Sequence, residues 1–156
     1  MLGVASYWDE RKGLDVFKRL SDELPLEFEI IMVGVTSDVK KNLPKRIIAI
    51  ERTNSQRELA GFYSIADVFL NPTIQDNFPT VNLESVACGT PVITYDTGGS
   101  PENSYTLNCI VDKGNYYELR ETVISRRFEN ALNAPPEWTL SKICMAKKYI
   151  NLFSAL

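Results

Sequence analysis

Asp76 and Glu84 stand with seven residues between them, on either side of Pro79 and the Thr80-Val81 pair. Far upstream, Arg11-Lys12-Gly13 sets two adjacent cations ahead of an amphipathic run. Pro79 suits the start of a helix, where its missing N–H is not needed. The backbone N–H groups of Thr80 and Val81 then fall in the first turn, lack intrahelical partners and form a seat for an anion such as phosphate. Two carboxylates beside that seat would repel a phosphate unless they face other groups, such as sugar hydroxyls. Lys12 heads a second helix and opposes its macrodipole, a mild cost without visible structural return. A cation held ready for a diphosphate would account for it. Plainer accounts stand beside these: a capped helix with a solvated Glu84, and a solvated Lys12.

The elements that must position these groups are legible around them. Val68, Phe69 and Leu70 form a short apolar run ended by Asn71-Pro72, as a buried parallel strand would be. A polar loop over residues 73–77 leads to the helix, whose apolar face is expected from Leu83, Val86 and Ala87, with Gly89 just past its end. Val92, Ile93 and Tyr95 resume a strand that Thr97-Gly98-Gly99 breaks. Upstream, the pattern predicts a strand over 2–5, a polar loop over 6–13 and a helix marked by Leu14, Phe17, Leu20 and Leu24. A strand over 28–33, a short helix over about 37–43 and a strand over 47–50 follow. Ser55 and Glu58 then form a capping box for a helix burying Leu59, Phe62 and Tyr63.

Downstream, Pro101-Glu102 begins a short helix and residues 107–111 read as a last strand. Asn115 and Glu118 cap a helix running to about Leu132, and Ala134-Pro135-Pro136 breaks the chain. A terminal helix is expected over 140–153, with Ile143, Tyr149, Ile150 and Phe153 as its apolar residues. Because the chain opens directly in a strand, it is expected to have been cut from something longer.

Composition narrows the function. With 156 residues, 44% hydrophobic and 24% charged, the chain fits one globular domain with a sizeable core. A net charge of -3 argues against nucleic acid as the main partner. No apolar run is long enough to span a bilayer, and no signal peptide is visible. Cys88, Cys109 and Cys144 lack paired metal-ligand spacing, so free thiols in a reducing cytoplasm are expected and no metal site is. The absence of histidine removes Ser-His-Asp and Cys-His nucleophile systems from the sequence, and most zinc sites with them.

Alternating strands and helices imply a doubly wound parallel α/β sheet covered on both faces. Ligands of such sheets bind outside the carboxyl ends of the strands. The polar loops at 6–13, 34–36, 51–54, 71–80 and 97–102 all emerge on that edge. Lys12, Asp76, Glu84 and the Thr80-Val81 helix start are therefore expected to share one cleft, suited to a phosphorylated, hydroxyl-rich ligand such as a nucleotide-sugar.

The run from Asn71 to Glu102 resembles the donor-binding segment of family-4 (group 1) retaining glycosyltransferases of the GT-B type. Those enzymes carry a Glu, seven residues, a Glu, an Ala-Cys/Ala-Gly-x-Pro-Val strand and a Gly-Gly loop ending in Glu. This chain carries Asp76, seven residues, Glu84, then Ala87-Cys88-Gly89-Thr90-Pro91-Val92, and Gly98-Gly99-Ser100-Pro101-Glu102. Arg11-Lys12-Gly13 and Ala66-Asp67-Val68 also match, so the likeness covers nearly the whole chain.

The resemblance implies a Rossmann-like fold and particular roles. Glu84 would accept hydrogen bonds from the ribose. Lys12 would pair with the diphosphate and steady the leaving group, with N–H groups near Thr80 and Val81 opposite it. Asp76, with backbone around Asn77 and Phe78, would hold the transferred sugar, and the loop carrying Glu51 and Asn54 would lie against the base. Asp76, Glu84 and Lys12 would thus be the catalytic set, without metal or other cofactor. Two departures bear on activity. Asp76 is one methylene shorter than the usual Glu, and Ser6 or Tyr7 stands where the family places an arginine, for which Arg11 is the candidate substitute.

The resemblance further implies that residues 1–156 form the C-terminal, donor-binding half of a two-domain enzyme, whose acceptor-binding N-terminal domain this chain lacks. The expected partners are a nucleotide-sugar donor, that missing domain, and a glycan or lipid-linked acceptor in surface polysaccharide synthesis. The expected place is the cytoplasm, including the inner face of the membrane through peripheral attachment of the missing half. Alone, the domain is expected to bind donor and transfer poorly or not at all. The alternative class is a non-catalytic nucleotide-binding module. Nucleotide-sugar epimerases of related architecture work with catalytic histidines, and receiver-type domains need an acid cluster; the sequence has neither.

Overall fold

A computed structural model describes residues 1–133 of the chain. Six parallel strands alternate with helices: β1 (Leu2–Val4), α1 (Leu14–Glu23), β2 (Ile30–Val33), α2 (Ser37–Lys41), β3 (Ile47–Ile50), α3 (Gln56–Ile65), β4 (Phe69–Asn71), α4 (Thr80–Ala87), β5 (Val92–Tyr95), β6 (Ile110–Val111) and α5 (Tyr116–Ile124). Short 3-10 turns at Glu10–Lys12 and Pro101–Asn103 interrupt the loops after β1 and β5. The strand order is β3-β2-β1-β4-β5-β6, so the winding reverses between β1 and β4. This is the Rossmann-like α/β sheet that the alternating pattern requires. The loops leaving β1 and β4 flank the crevice where such folds bind ligands.

Each strand sends successive side chains to opposite faces. Leu2, Phe69 and Val92 join Val33, Tyr63 and Val86 on the face covered by α3 and α4. Leu70 and Ile93 face the other way and join Trp8, Phe17, Leu20, Leu119 and Val123 under α1 and α5. Each large apolar side chain fully removed from water contributes on the order of 2 kcal/mol before chain entropy is counted. Gly3 lets α1 sit close: a Cβ there would lie 2.4 Å from the Phe17 ring.

The structure departs from the sequence expectations mainly at ends. The last strand is residues Ile110–Val111 rather than 107–111, because Leu107 is exposed and Asn108 has a positive φ of 59°. The helix capped by Asn115 stops at Ile124 instead of Leu132. Arg126 turns left-handed there (φ 51°), and its N–H returns to the Val123 carbonyl. Phe128 still reaches the core from the following turns. The inward face of α4 is Asn82, Ser85 and Val86; Leu83 is half-buried and Ala87 exposed. Cys88 is half-buried, Cys109 is buried, and both are free thiols. The expected break at 134–136, the terminal helix over 140–153 and Cys144 lie outside the described residues. Among those described, no helix is long and apolar enough to cross a membrane.

Candidate functional site

The loop after β1 carries Lys12 into the crevice through a chain of local bonds. Asp9 caps the 3-10 turn by accepting from the Lys12 N–H at 2.9 Å. Gly13 then takes a φ of 79°, and a Cβ there would lie 2.8 Å from the Pro72 carbonyl oxygen. This close approach docks the β1 loop onto the end of β4. The Arg11 carbonyl completes the join, accepting from the Ile74 N–H (2.9 Å) and the Thr73 hydroxyl (3.3 Å). The Arg11 guanidinium is exposed and lies 3.7 Å from Asp9. Arg11 thus acts in the fold through its backbone.

The loop after β4 is fixed from the other side. A Cβ on Gly98, whose φ is 51°, would overlap the Asp76 carbonyl oxygen at 1.7 Å, and the Gly99 N–H donates to the Asn77 carbonyl at 2.8 Å. Behind α4 runs a buried chain of amides. Asn71 Nδ2 donates to Asn82 Oδ1 (2.8 Å), Asn82 Nδ2 to Asn103 Oδ1 (2.9 Å), and Asn103 Nδ2 to the Pro79 carbonyl (2.9 Å). That chain links the end of β4, the start of α4 and the glycine-rich loop. It also explains why a polar residue occupies the inward face of α4: Asn82 is fully buried because its amide is matched at both ends.

Thr36, Ser55 and Asn115 cap α2, α3 and α5 with side-chain oxygens; α4 has no side-chain cap. Its tip opens into a cavity of about 230 Å³ lined by Lys12, Asp76, Phe78, Thr80, Val81 and Trp8, among others. Within this group Lys12 Nζ donates to Asp76 Oδ2 at 2.6 Å, with both side chains half-buried. The lysine therefore does have a structural partner, contrary to the sequence reading that saw no local benefit for it. Opposite charges brought together in a partly screened pocket offset both the helix-dipole cost and the repulsion an acid would exert on an anion.

Val4, Ala5, Ser6 and Val81 also line an adjoining cavity of about 680 Å³. The loop at Gly34, Val35, Thr36 and Ser37 walls it on one side; Glu51, Arg52 and Thr53 form another wall, and Glu84 stands at its edge. Glu84 is exposed and accepts from the Tyr63 hydroxyl at 3.1 Å. Asn54 does not line either cavity; its backbone and side-chain N–H groups both donate to Glu58 Oε2, at 2.6 and 3.0 Å. Asn77 and Phe78 are exposed on the β4 loop, where Asp76 Oδ1 accepts from the Phe78 N–H at 3.3 Å. The crevice thus gathers Lys12, Asp76, Phe78, Thr80 and Val81 in one cavity and Glu51 and Glu84 in the next, while Arg11 and Asn54 turn elsewhere.

Tyr63, the three asparagines and Trp8 escaped the sequence reading. Tyr63 was expected only as a core residue, and Trp8, whose indole N–H donates to the Val33 carbonyl at 3.0 Å, only as part of a loop. The buried Tyr63 phenol is held far above its ordinary range, first by burial and then by the Glu84 carboxylate, so it remains a donor. Among the described residues, no cluster of acid, histidine or cysteine side chains could hold a metal ion.

Comparison with known proteins identifies the family. Residues 1–125 match the family model described as "Glycosyl transferases group 1". Alpha-galactosylglucosyldiacylglycerol synthase of Streptococcus pneumoniae is 34% identical over 135 residues, covering 74% of this chain and 33% of that protein. D-inositol 3-phosphate glycosyltransferase of Corynebacterium jeikeium is 48% identical over a shorter stretch of 44 residues, 28% of this chain and 10% of that protein. The chain therefore spans a third or less of the length of these curated relatives. Among solved structures, Anabaena HepE in complex with UDP-glucose superposes with a TM-score of 0.74 at 18% identity, over 99% of this chain and 48% of that one. Sucrose-phosphate synthase from Thermosynechococcus elongatus gives 0.72 at 21% identity, over 99% and 46%. These two likenesses concern the fold. The family match over most of the chain carries the conclusion: this chain belongs to the group 1 glycosyltransferases, as a domain of their C-terminal type.

Proposed function

We propose that residues 1–156 form the donor-binding domain of a retaining glycosyltransferase that moves a sugar from a nucleoside-diphosphate sugar to a glycan or lipid-linked acceptor. The observation that carries this reading is the meeting of Lys12, Asp76 and the uncapped start of α4 around one cavity at the point where the sheet reverses. The diphosphate sits at the N–H groups of Thr80 and Val81, facing the Lys12 ammonium. An ammonium has three donors, so Lys12 keeps its bond to Asp76 while meeting a phosphate oxygen, and Asp76 reaches the anion site with its charge compensated. The second oxygen of Asp76 takes a hydroxyl of the transferred sugar. The nucleoside occupies the adjoining cavity, its base against the loop of Glu51, Arg52 and Thr53 and its ribose at Glu84.

In the reaction the bond from the sugar's anomeric carbon to the diphosphate breaks, leaving an oxocarbenium-like sugar and a nucleoside diphosphate. Negative charge grows on the departing oxygen, and Lys12 and the positive end of α4 are placed to stabilise it more than they stabilise the bound donor. This supply of positive charge supports a metal-independent reaction. The acceptor and its positioning groups belong to an N-terminal domain outside this chain, so residues 1–156 bind donor and do not transfer efficiently alone. The relative named alpha-galactosylglucosyldiacylglycerol synthase supports a lipid-linked acceptor; peripheral attachment and work at the inner face of the membrane, in the cytoplasm, belong to the same proposal. The second reading is a nucleotide-binding module without catalysis.

Calorimetric titration with UDP, GDP and ADP and their sugars tests the proposal. One nucleotide-sugar is expected to bind, with binding strongly but measurably weakened in Lys12→Ala and Glu84→Ala. A wild-type chain that binds none of them would refute the donor-binding reading. Donor binding with no transfer even when the N-terminal domain is restored would favour the non-catalytic module.

A further inference from the structure

We propose that Tyr63 is a positioning residue that holds the Glu84 carboxylate in place for the ribose of the bound nucleotide, an inference that rests on the donor-binding reading above. Glu84 lies exposed on the surface of α4, where a glutamate has three rotatable bonds and no fixed carboxylate position. It stands between two hollows. One is the 680 Å³ cavity bounded by Glu51, Arg52 and Thr53; the other is a 420 Å³ groove between α3 and α4 that includes Gln56, Ala60, Tyr63 and Cys88. Left to itself, the carboxylate would sample both.

Tyr63 removes that freedom because Tyr63 is itself immobile. It is 1% exposed, its ring stands edge-on to Phe69 at 5.4 Å between centroids, and its backbone carbonyl accepts from the Thr90 hydroxyl at 2.6 Å. From this fixed base the phenol donates to Glu84 Oε2 at 3.1 Å. With Oε2 held from the groove side, Oε1 is the oxygen left to accept from a ligand hydroxyl in the larger cavity. The phenol stays protonated over the whole working pH range, since burial and the neighbouring carboxylate both disfavour its ionisation. The plainer account is that Glu84 merely satisfies a buried hydroxyl. The two accounts differ in what happens to ligands with and without ribose hydroxyls.

The test uses the full 156-residue chain, its Tyr63→Phe and Glu84→Ala variants and the double variant, with thermal unfolding as a check that each is folded. The ligands are the ribonucleoside diphosphate that binds best among UDP, GDP and ADP, and its 2′,3′-dideoxy counterpart. Tyr63→Phe keeps the ring, and is expected to weaken the ribonucleotide about five- to tenfold, the net value of one ordinary hydrogen bond. Affinity for the dideoxy compound is expected to change less than about twofold. In the Glu84→Ala background, Tyr63→Phe is expected to add no further loss. Equal losses for the two ligands, no loss for either, or a loss that persists without Glu84 would each overturn the positioning role while leaving the donor-binding reading intact. A wild-type chain that binds none of the nucleotides would overturn both.

Discussion

The loops after β4 and after β3 both face the crevice, yet they are built in opposite ways. The β4 loop is anchored from several sides: to the β1 loop through Arg11, to the glycine-rich loop through Asn77 and Gly99, and to the sheet through Asn71. The loop at 51–54 is held by Asn54 bonding to Glu58, within the first turn of its own helix, and by an exposed Lys40–Glu51 pair at 3.8 Å. A site that grips phosphate must hold its donors still before the charge develops, because reorganising them later would forfeit the stabilisation. A site that lies against a base tolerates a softer wall. On the donor-binding reading, the anchored side meets the diphosphate and the softer side meets the base.

Breaking the anchored side should have the largest effect. Asn82→Leu leaves Asn71 Nδ2 and Asn103 Oδ1 without their partners in a buried setting, and should cost about 3 kcal/mol of stability, read by urea unfolding. A cost below about 1 kcal/mol would mean that water or a rearranged loop replaces the amide chain. Next, Lys12→Ala should weaken diphosphate binding about 30-fold, the scale of a charge-assisted contact, measured by calorimetry. Its stability should change by less than about 1 kcal/mol, since the pair with Asp76 is partly exposed. A large stability loss with unchanged affinity would recast Lys12 as a structural residue. Smallest is Asn54→Ala on the soft side: the backbone bond to Glu58 survives, so nucleotide affinity should move less than about twofold. A tenfold loss would show that this loop is as tightly specified as the other.

The repeating elements could be read from apolar spacing because strands and helices write their periods into neighbouring residues. The chemistry of the crevice was partly visible for the same reason: Pro79, Thr80 and Val81 make a helix start from local rules alone. What stayed hidden depends on contacts between distant residues. Lys12 and Asp76 are 64 positions apart, and no periodicity marks them as a pair. Nothing in the sequence singles out Asn82 beside Leu83, Val86 and Ala87, because only the fold supplies the two amides that make its burial tolerable. The early end of α5 was missed as well, since nothing in the sequence announces a left-handed arginine.

The amide chain behind α4 also constrains how such a sequence can drift. Losing Asn82 strands both Asn71 Nδ2 and Asn103 Oδ1, and losing Asn71 strands Asn82 Oδ1, so a lineage that crosses to an apolar version one substitution at a time passes through a weakened intermediate. The three positions are therefore expected to travel as a set through descent. A side-chain relay of this type stores history: it ties the future of a helix start to the end of one strand and to a turn after another.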